Sequence, residues 1–323
     1  MSEWRRRRVL VTGATGLVGS WLTPALLERG AAVVALVRDA DPQSELLRSG
    51  TIARVTVVNG VVEHLATMER AILHHRVDTV FHLAAQTQVG IAWRDPYETF
   101  ESNVRGTYTV LEACRRQGVA RVVVASSDKA YGEARTLPYT EDTPLEARFP
   151  YDTSKLAGDV LARSYVATYD LPVAIARCGN IYGGGDLNWD RIVPGTIRSL
   201  LRNERPVVRS DGTLVRDYVY VDEVVLAYLH LAEQLHRPEV KGQAFNFSAG
   251  RPLSVLELIE AIGGAVGTRL EPVIEARAVA EIQRQYLSSE RARTVLGWQS
   301  RYPLERGLAE TVAWYRRFLE GVS

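Results

Sequence analysis

Tyr151 and Lys155 stand four residues apart in the segment YDTSK, directly after Pro150. Removal of a hydride from a secondary alcohol needs a base for the hydroxyl proton, and a tyrosine with its ordinary pKa near 10 is a poor base at neutral pH. A lysine one helical turn later lies on the same face, and its positive charge favours the phenolate. The spacing therefore predicts a tyrosine base assisted by Lys155, although the short pattern alone is often only a solvated helix pair.

A pair of serines precedes this segment in the chain. Ser126 and Ser127 follow the apolar run Arg121–Ala125, which is typical of a buried strand. Open α/β sheets bind their ligands at the carboxyl ends of the strands. We therefore expect Ser127 to hydrogen-bond the oxygen that reacts at Tyr151.

A glycine-rich turn near the start of the chain is typical of dinucleotide binding. It separates the apolar run Arg8–Thr12 from a helical pattern that reaches Arg29. Glycines let the backbone turn sharply and approach a pyrophosphate, which then lies at the positive end of the helix. The predicted cofactor contacts in this turn are Gly13, Thr15, Gly16, Leu17, Val18 and Gly19. A turn needed only for packing is the alternative.

The residue after the second predicted strand, Ala32–Val37, bears on the choice of cofactor. A site specific for NAD usually has a carboxylate there for the ribose 2′-hydroxyl, whereas an arginine pairs with a 2′-phosphate. Arg38 occupies this position and Asp39 follows it. We expect NAD(P), with Arg38 favouring NADP and Asp39 leaving NAD open.

Short β-branched runs alternate with helical patterns along the chain, which predicts an α/β fold. The pattern favours a Rossmann-type, doubly wound parallel sheet with helices on both faces. We expect a dinucleotide-binding domain over residues 1–177, with returns near 216–249, and a smaller α/β substrate lobe over 178–215 and 250–323. Further strands are predicted at 55–58, 79–83, 121–125, 173–177, 207–208 and 244–247, and helices at 66–75, 97–117, 153–169, 193–202, 221–233, 255–264 and 304–319.

Composition argues against several other classes of protein. The formal net charge is +1 over 323 residues, so no overall field attracts nucleic acid. There is no run of about 18 apolar residues to cross a membrane, and no apolar signal region near Met1, so we expect a cytoplasmic protein. Cys114 and Cys178 are expected to be buried, reduced thiols, and the histidines lack the spacing of metal ligands.

Further motifs, spread over nearly the whole chain, resemble a known family. They are VTGATGLVG (11–19), FHLAAQ (81–86), SNVRGT (102–107), SSDKAYG (126–132), YDTSK (151–155), RCGNIYGGG (177–185) and RDYVYVDE (216–223). With these motifs the chain resembles the extended short-chain dehydrogenase/reductases, specifically the nucleotide-sugar epimerases and dehydratases. The resemblance implies a nucleotide-diphosphate sugar as the substrate.

The same resemblance implies roles for further residues. Leu83, Ala84 and Ala85 are expected along the cofactor, Gln86 and Asn103 at the substrate site, Asn180 on the sugar nucleotide and Arg216 on its diphosphate, where the arginine fork suits phosphate oxygens. Arg191 and Arg284 are further substrate candidates, with simple surface charge as the alternative. One departure is that Val61 replaces the acidic residue with which the family usually holds adenine. Adenine is then expected to rest on apolar contacts and backbone groups.

Asp128 and Lys129, directly after the serines, bear on the type of reaction. Simple 4-epimerases resemble one another in having small or neutral residues here, whereas this pair resembles CDP-glucose or GDP-mannose 4,6-dehydratases. Oxidation at C4 makes the C5 proton acidic, so that a base removes it while an acid protonates the departing 6-hydroxyl. We predict Lys129 as this base and Asp128 as the acid, with a structural ion pair between them as the alternative. A hexose 4-epimerase and a non-catalytic nicotinamide sensor are the other functions considered.

The resemblance also implies a homodimer. The helices near 97–117 and 153–169 are expected to form a four-helix bundle with their copies in a second subunit. The predicted contacts are Val104, Tyr108, Leu111, Leu161 and Val166. Burial of these side chains within one subunit is the alternative.

Overall fold

The computed structural model describes residues 3–277 and 282–321. The strands are β1 (Arg8–Thr12), β2 (Ala32–Val37), β3 (Thr56–Asn59), β4 (Thr79–His82), β5 (Arg121–Ser127), β6 (Val173–Cys178), β7 (Asn180–Tyr182), β8 (Val207–Val208), β9 (Val215–Tyr220), β10 (Ala244–Phe247), β11 (Pro252–Ser254), β12 (Val273–Ile274) and β13 (Arg284–Gln285). The α-helices are α1 (Leu17–Glu28), α2 (Glu45–Arg48), α3 (Leu65–His75), α4 (Val89–Arg94), α5 (Pro96–Phe100), α6 (Gly106–Gln117), α7 (Pro150–Tyr169), α8 (Ile192–Leu201), α9 (Val221–Gln234), α10 (Val255–Val266) and α11 (Leu304–Glu320).

The main sheet has seven strands in the order β3-β2-β1-β4-β5-β6-β10, and every neighbouring pair is parallel. Successive side chains of a strand point to opposite faces, so Val9 and Val11 belong to one apolar core and Leu10 to the other. Helices α1 and α9 cover the first face, and α3, α6 and α7 cover the second. The predicted Rossmann-type α/β sheet is confirmed.

In a second, smaller sheet, β9 pairs with three other strands. Strand β11 pairs with β9 in the antiparallel direction, whereas β13 and β7 pair with it in parallel. Helices α8, α10 and α11 pack around this sheet through a separate apolar core. Within the segment 216–249, which was expected to return to the dinucleotide-binding domain, α9 packs on the main sheet and β10 is one of its strands. Strand β9, however, lies in the small sheet.

The helix predicted over 97–117 is interrupted. Helix α5 begins at Pro96, after Asp95 accepts a hydrogen bond from the N–H of Glu98 at 3.0 Å. A π-helical turn over Glu101–Arg105 then separates α5 from α6. Such turns are common at functional sites because they shift side chains out of the regular helical register, and this one carries Asn103.

Burial on α6 and α7 corrects part of the predicted dimer contact. Leu111 is fully buried within the subunit, so the intrasubunit alternative holds for it, whereas Leu161 and Val166 are half-buried and pack in part against the same internal core. Tyr108 is exposed, and so are Val160 and Tyr169 on α7.

Cys114 and Cys178 are buried and free, as predicted. Over residues 3–277 and 282–321, no helix has the length and apolar character needed to cross a membrane. The same residues contain no group of three or more histidine, cysteine or acidic side chains arranged to hold a metal ion.

Candidate active site

A cavity of about 940 Å³ opens at the carboxyl ends of β1, β4, β5 and β6. Parallel sheets of this type bind ligands at that edge. Every residue predicted to contact the cofactor lines the cavity, and so do the five predicted catalytic residues. The predicted substrate residues Asn180, Arg191 and Arg216 line it as well, whereas Gln86, Asn103 and Arg284 do not.

The glycine turn after β1 is shaped for close approach of backbone. Gly13 has a φ of +70°, and a Cβ atom there would lie 2.7 Å from the amide nitrogen of Ala84. A Cβ atom at Gly19 would lie 2.1 Å from the carbonyl oxygen of Gly13. Helix α1 then begins at Leu17 without a side-chain cap. Its first N–H groups face the cavity edge where a pyrophosphate binds in such turns.

A polar bridge under the cavity fixes the end of β4. Thr12 Oγ1 accepts hydrogen bonds from the N–H groups of Leu83 and Ala84, both at 3.2 Å, and contacts His82 Nδ1 at 2.9 Å. Burial, together with the charge of Lys155, lowers the pKa of His82 to about 3. The imidazole is therefore neutral and serves as a hydrogen-bonding link. Neither Thr12 nor His82 was identified from the sequence, because both fall inside predicted strands.

Asn103 supports the site from behind. Its Oδ1 accepts from the N–H of Gln86 at 2.7 Å, and its Nδ2 donates to the Gln86 carbonyl at 3.0 Å and to Ser154 Oγ at 2.8 Å. These bonds join the loop after β4 to α7, so Asn103 is placed to position the site. The side chain of Gln86 bonds to Gln88 and Thr99. The exposed guanidinium of Arg284 lies over the ring of Tyr286, 5.8 Å from its centre.

The turn after β5 brings Ser127, Asp128 and Lys129 together. Ser127 Oγ donates to Asp128 Oδ1 at 3.1 Å and accepts from the N–H of Lys129 at 3.2 Å. Asp128 is buried, and its Oδ2 has no hydrogen-bond partner among the described residues. Lys129 Nζ donates to Gln285 Oε1, while Gln285 Nε2 donates to the carbonyl of Asp128 at 3.0 Å. In this part of the chain no ion pair joins Asp128 to Lys129, so the structural ion pair is not formed.

Tyr151 lies in the first turn of α7, close to Ser127. Burial raises the pKa of Tyr151 to about 12, with a further contribution from Asp128, while Arg191 and the nearby hydroxyl of Ser127 act in the opposite direction. Burial also lowers the pKa of Lys155 to about 8, and its Nζ donates to the carbonyl of Ala125 at 3.1 Å. Arg191 is thus a cation that favours the phenolate of Tyr151 and that the sequence had assigned to the substrate, while Lys155 lines the same cavity.

Arginines line the opposite side of the cavity. Arg191 Nη1 pairs with Asp186 Oδ2 at 3.0 Å. Arg216 is buried and donates to the carbonyl of Val215 at 2.9 Å. Arg209, which the sequence did not single out, lines the cavity beside β8 and pairs with Asp190 at 2.5 Å. These guanidinium groups can neutralise a diphosphate.

Another part of the cavity contains the residues expected near the adenine and ribose of the cofactor. Arg38 Nε pairs with Asp39 Oδ2 at 2.7 Å, and both side chains are exposed. Val61 lines the cavity, as does Glu63, whose Oε2 is buried and has no partner among the described residues. An acidic group is thus present two residues beyond the position where the sequence lacks one.

A buried ion pair supports the serines. Arg177 donates to both carboxylate oxygens of Asp159, at 2.8 and 2.9 Å, and neither side chain is exposed. Ser126 Oγ also donates to Asp159, at 3.1 Å, and Arg177 donates to the hydroxyl of Tyr131 at 2.8 Å. This network links β5, β6 and α7, and its members were not predicted.

Comparison with known proteins shows which ones the chain is similar to. The model of the NAD dependent epimerase/dehydratase family matches residues 9–247. The UDP-glucose 4-epimerase of Mycolicibacterium smegmatis (strain ATCC 700084 / mc(2)155) is 34% identical over 321 residues, covering 96% of this chain and 98% of the relative.

Two solved structures are also similar over almost their full length. A UDP-glucose 4-epimerase with UDP-glucose, from Thermotoga maritima, has a TM-score of 0.89 at 29% identity and covers 97% of this chain and 99% of its own. DesIV, a dTDP-glucose 4,6-dehydratase from Streptomyces venezuelae with NAD bound, has a TM-score of 0.86 at 29% identity, covering 96% and 97%. The similarity therefore extends to both an epimerase and a dehydratase.

Proposed function

The chain belongs to the NAD-dependent epimerase/dehydratase family, and within it we propose that the protein is a nucleotide-sugar 4,6-dehydratase. One observation carries this choice. Asp128 and Lys129 both line the cavity next to Tyr151 without pairing with each other. Oxidation at C4 alone needs only Tyr151, Ser127 and Lys155, so the extra acid and base favour a second chemical step.

The cofactor site fits a dinucleotide. The close approaches at Gly13 and Gly19 leave no room for side chains, and the unpartnered oxygen of Glu63 is an acceptor for the amino group of adenine. The turn from Gly13 to Gly19 and the segment Leu83–Ala85 would hold NAD. When bound, this cofactor would accept a hydride from C4 and later return it to C6. The pairing of Arg38 with Asp39 favours NAD over NADP, because Asp39 repels a 2′-phosphate and already engages the arginine.

In the first step, Tyr151 takes the proton of the C4 hydroxyl as the C4–H bond breaks, which leaves a ketone. Ser127, which lies beside the Tyr151 hydroxyl, would hydrogen-bond the same oxygen. Because burial raises the pKa of Tyr151 to about 12, loss of its proton requires nearby cations. Arg191 acts on Tyr151 in this direction, and Lys155 lies one helical turn further along α7 in the same cavity.

In the second step, Lys129 removes the C5 proton, now acidified by the ketone, and the electron pair forms the C5–C6 double bond. Asp128 protonates the departing 6-hydroxyl, which leaves as water. The free Oδ2 of Asp128 is the atom available for this transfer. The hydrogen-bond partner of Lys129 is a neutral amide, the side chain of Gln285. Hydride addition at C6 and protonation at C5 complete a 4-keto-6-deoxy sugar.

Turnover in heavy water tests this proposal. A panel of UDP-, dTDP-, CDP- and GDP-hexoses is incubated with the protein and NAD, and the products are examined by mass spectrometry and NMR. We expect the product to have lost one water and to carry one solvent-derived deuterium at C5. Lys129→Met should reduce water loss by 10²–10⁴-fold, whereas Lys241→Met, which removes a lysine paired with Asp170 at 2.5 Å outside the cavity, is the control. If Lys129→Met loses water from the substrate at the wild-type rate, Lys129 is not the base.

A hexose 4-epimerase is the second candidate, and a specific observation favours it. The relative at 34% identity and the structure with a TM-score of 0.89 are both UDP-glucose 4-epimerases. In that case the sugar keeps its mass and takes up no solvent deuterium at C5. Two interconverting sugars of equal mass would replace the dehydratase proposal by this one.

We also propose that the protein is a homodimer through α6 and α7. The support is that Tyr108, Val160 and Tyr169 are exposed on these two helices, where a second subunit would cover them. Light scattering after size-exclusion chromatography should give twice the chain mass, and Val160→Arg should shift it towards the mass of one chain. A wild-type protein that elutes as a single chain at micromolar concentration contradicts the dimer.

A further inference from the structure

Trp93 is an aromatic side chain that the chemistry above does not use. It lies on α4, and its accessible fraction is 55%, although tryptophan is mostly buried in folded proteins. Other exposed aromatic residues nearby, such as Tyr97 and Tyr108, lie outside the cavity, whereas Trp93 lines it. Its exposed surface therefore faces the place where a ligand binds.

The ring is held in place by its neighbours. The centres of the Trp93 and Phe149 rings are 5.5 Å apart, with 36° between the planes. Ala92, the preceding residue on α4, is fully buried, and the N–H of Asp95 donates to the carbonyl of Ile91 at 2.7 Å. An aromatic ring fixed in this way loses little conformational entropy when it receives a ligand.

The location of Trp93 favours the sugar end of the substrate. Phe149 immediately precedes α7 and stands two residues before Tyr151, so the aromatic pair lies beside the start of the catalytic helix. The apolar residues Leu214 and Val255, with Arg216, line the part of the cavity formed by the small lobe. A nucleoside and diphosphate bound there place the hexosyl group, and not the base, towards Tyr151 and Trp93.

We propose that Trp93 is a stacking platform for the hexosyl ring and thereby sets the sugar's position relative to Tyr151. A pyranose presents C–H groups on its ring faces, and an indole packs against them while the hydroxyl groups remain free for hydrogen bonds. Axial hydroxyl groups interrupt such a face, so the platform also selects among hexoses. This inference rests on the proposed nucleotide-sugar substrate and adds a specificity residue to it.

Binding measurements on a catalytically silent background test the platform. Trp93→Ala and Trp93→Phe are each combined with Tyr151→Phe, and dissociation constants are measured by calorimetry for UDP-glucose, dTDP-glucose, CDP-glucose and GDP-mannose, and for the matching nucleoside diphosphates. We expect Trp93→Ala to weaken binding of the preferred nucleotide sugar by about five- to tenfold. The diphosphate should change by less than about twofold, and Trp93→Phe should retain most of the affinity. Tyr97→Ala, on the adjacent helix outside the cavity, is the matched control.

Each outcome of these measurements supports or refutes the role of Trp93. Equal weakening of the sugar nucleotide and its diphosphate, or no weakening of either, overturns the platform. If the parent protein binds none of the nucleotide sugars, the proposed function and this inference fail together. If it binds them but turnover gives an epimer of unchanged mass, only the proposed dehydration fails and the Trp93 result stands.

Discussion

Replacement of Lys155 by methionine should make the protein more stable at pH 7 while abolishing its chemistry. The lysine stem lies in the cavity wall, and burial lowers the pKa of its ammonium group from 10.5 to about 8. A protonated lysine at pH 7 is therefore a cost to the folded state. Methionine keeps the length of the side chain without the charge, so it removes that cost.

The size of the effect follows from the pKa. A fall from 10.5 to about 8, at about 1.4 kcal/mol for each pKa unit, corresponds to about 3 kcal/mol. The substitution also removes the hydrogen bond to the carbonyl of Ala125, which offsets about 1 kcal/mol of this. The expected net gain is about 2 kcal/mol in the free energy of unfolding.

The lowered pKa of Lys155 also determines how the stability difference between the two proteins changes with pH. Below about pH 8 the lysine is protonated in both states, and the folded state bears the full cost. Above 10.5 it is neutral in both states and the cost is absent. The unfolded chain binds more protons between these values, so wild-type stability should rise relative to Lys155→Met as the pH increases through this window.

Urea unfolding of the cofactor-free protein, followed by circular dichroism at pH 7 and pH 9.5, measures the difference. The gap between Lys155→Met and wild type should be about 2 kcal/mol at pH 7 and clearly smaller at pH 9.5. Lys241→Met should produce no comparable gain, because Lys241 pairs with Asp170 away from the cavity. A variant that is no more stable than wild type at pH 7, or a gap that does not change with pH, refutes the reasoning.

Three further substitutions have expected outcomes. Asp159→Asn leaves the fully buried Arg177 without its carboxylate and should lower the free energy of unfolding by about 3–5 kcal/mol; a loss below about 1 kcal/mol in urea unfolding would contradict this. Tyr151→Phe should reduce turnover at least about 100-fold with nearly unchanged calorimetric affinity for the nucleotide sugar, and a turnover within a few-fold of wild type would exclude it as the base. Glu63→Gln should reduce the preference for NAD over nicotinamide hypoxanthine dinucleotide in equilibrium binding, since the buried Oε2 is then lost as an acceptor; an unchanged preference places adenine elsewhere.

The main sheet could be predicted from the sequence because its strands are continuous apolar runs. Strands β1, β2 and β10 have the predicted bounds, since a buried parallel strand has no polar face to obscure its pattern. Strand β9 was missed as a strand because it contains Arg216 and Asp217, which read as loop residues but are buried here. Its place in the small sheet depends on pairing with β11 and β13, which are distant in sequence.

The site was predictable to the extent that its residues are adjacent in the chain. The tyrosine, lysine and serine were found through local spacing, and the cofactor turn through its glycines. The partners that arrive from other elements were not found. Gln285 lies more than 150 residues after Lys129, and the burial that raises the pKa of Tyr151 depends on the whole cavity. Asn103 lies in a π-helical turn that the helical pattern of the sequence did not predict.

The contact between Gln285 and Lys129 has a consequence for recombination between relatives. Strand β13 belongs to the small sheet, yet its glutamine accepts from Lys129 and donates to the backbone of Asp128. A chimera that takes its C-terminal segment from a relative, in order to acquire that relative's sugar nucleotide, also replaces the residue that holds this lysine. Under the proposed role of Lys129, such a graft would exchange substrate preference and the fate of the oxidised sugar together, unless position 285 is matched to position 129.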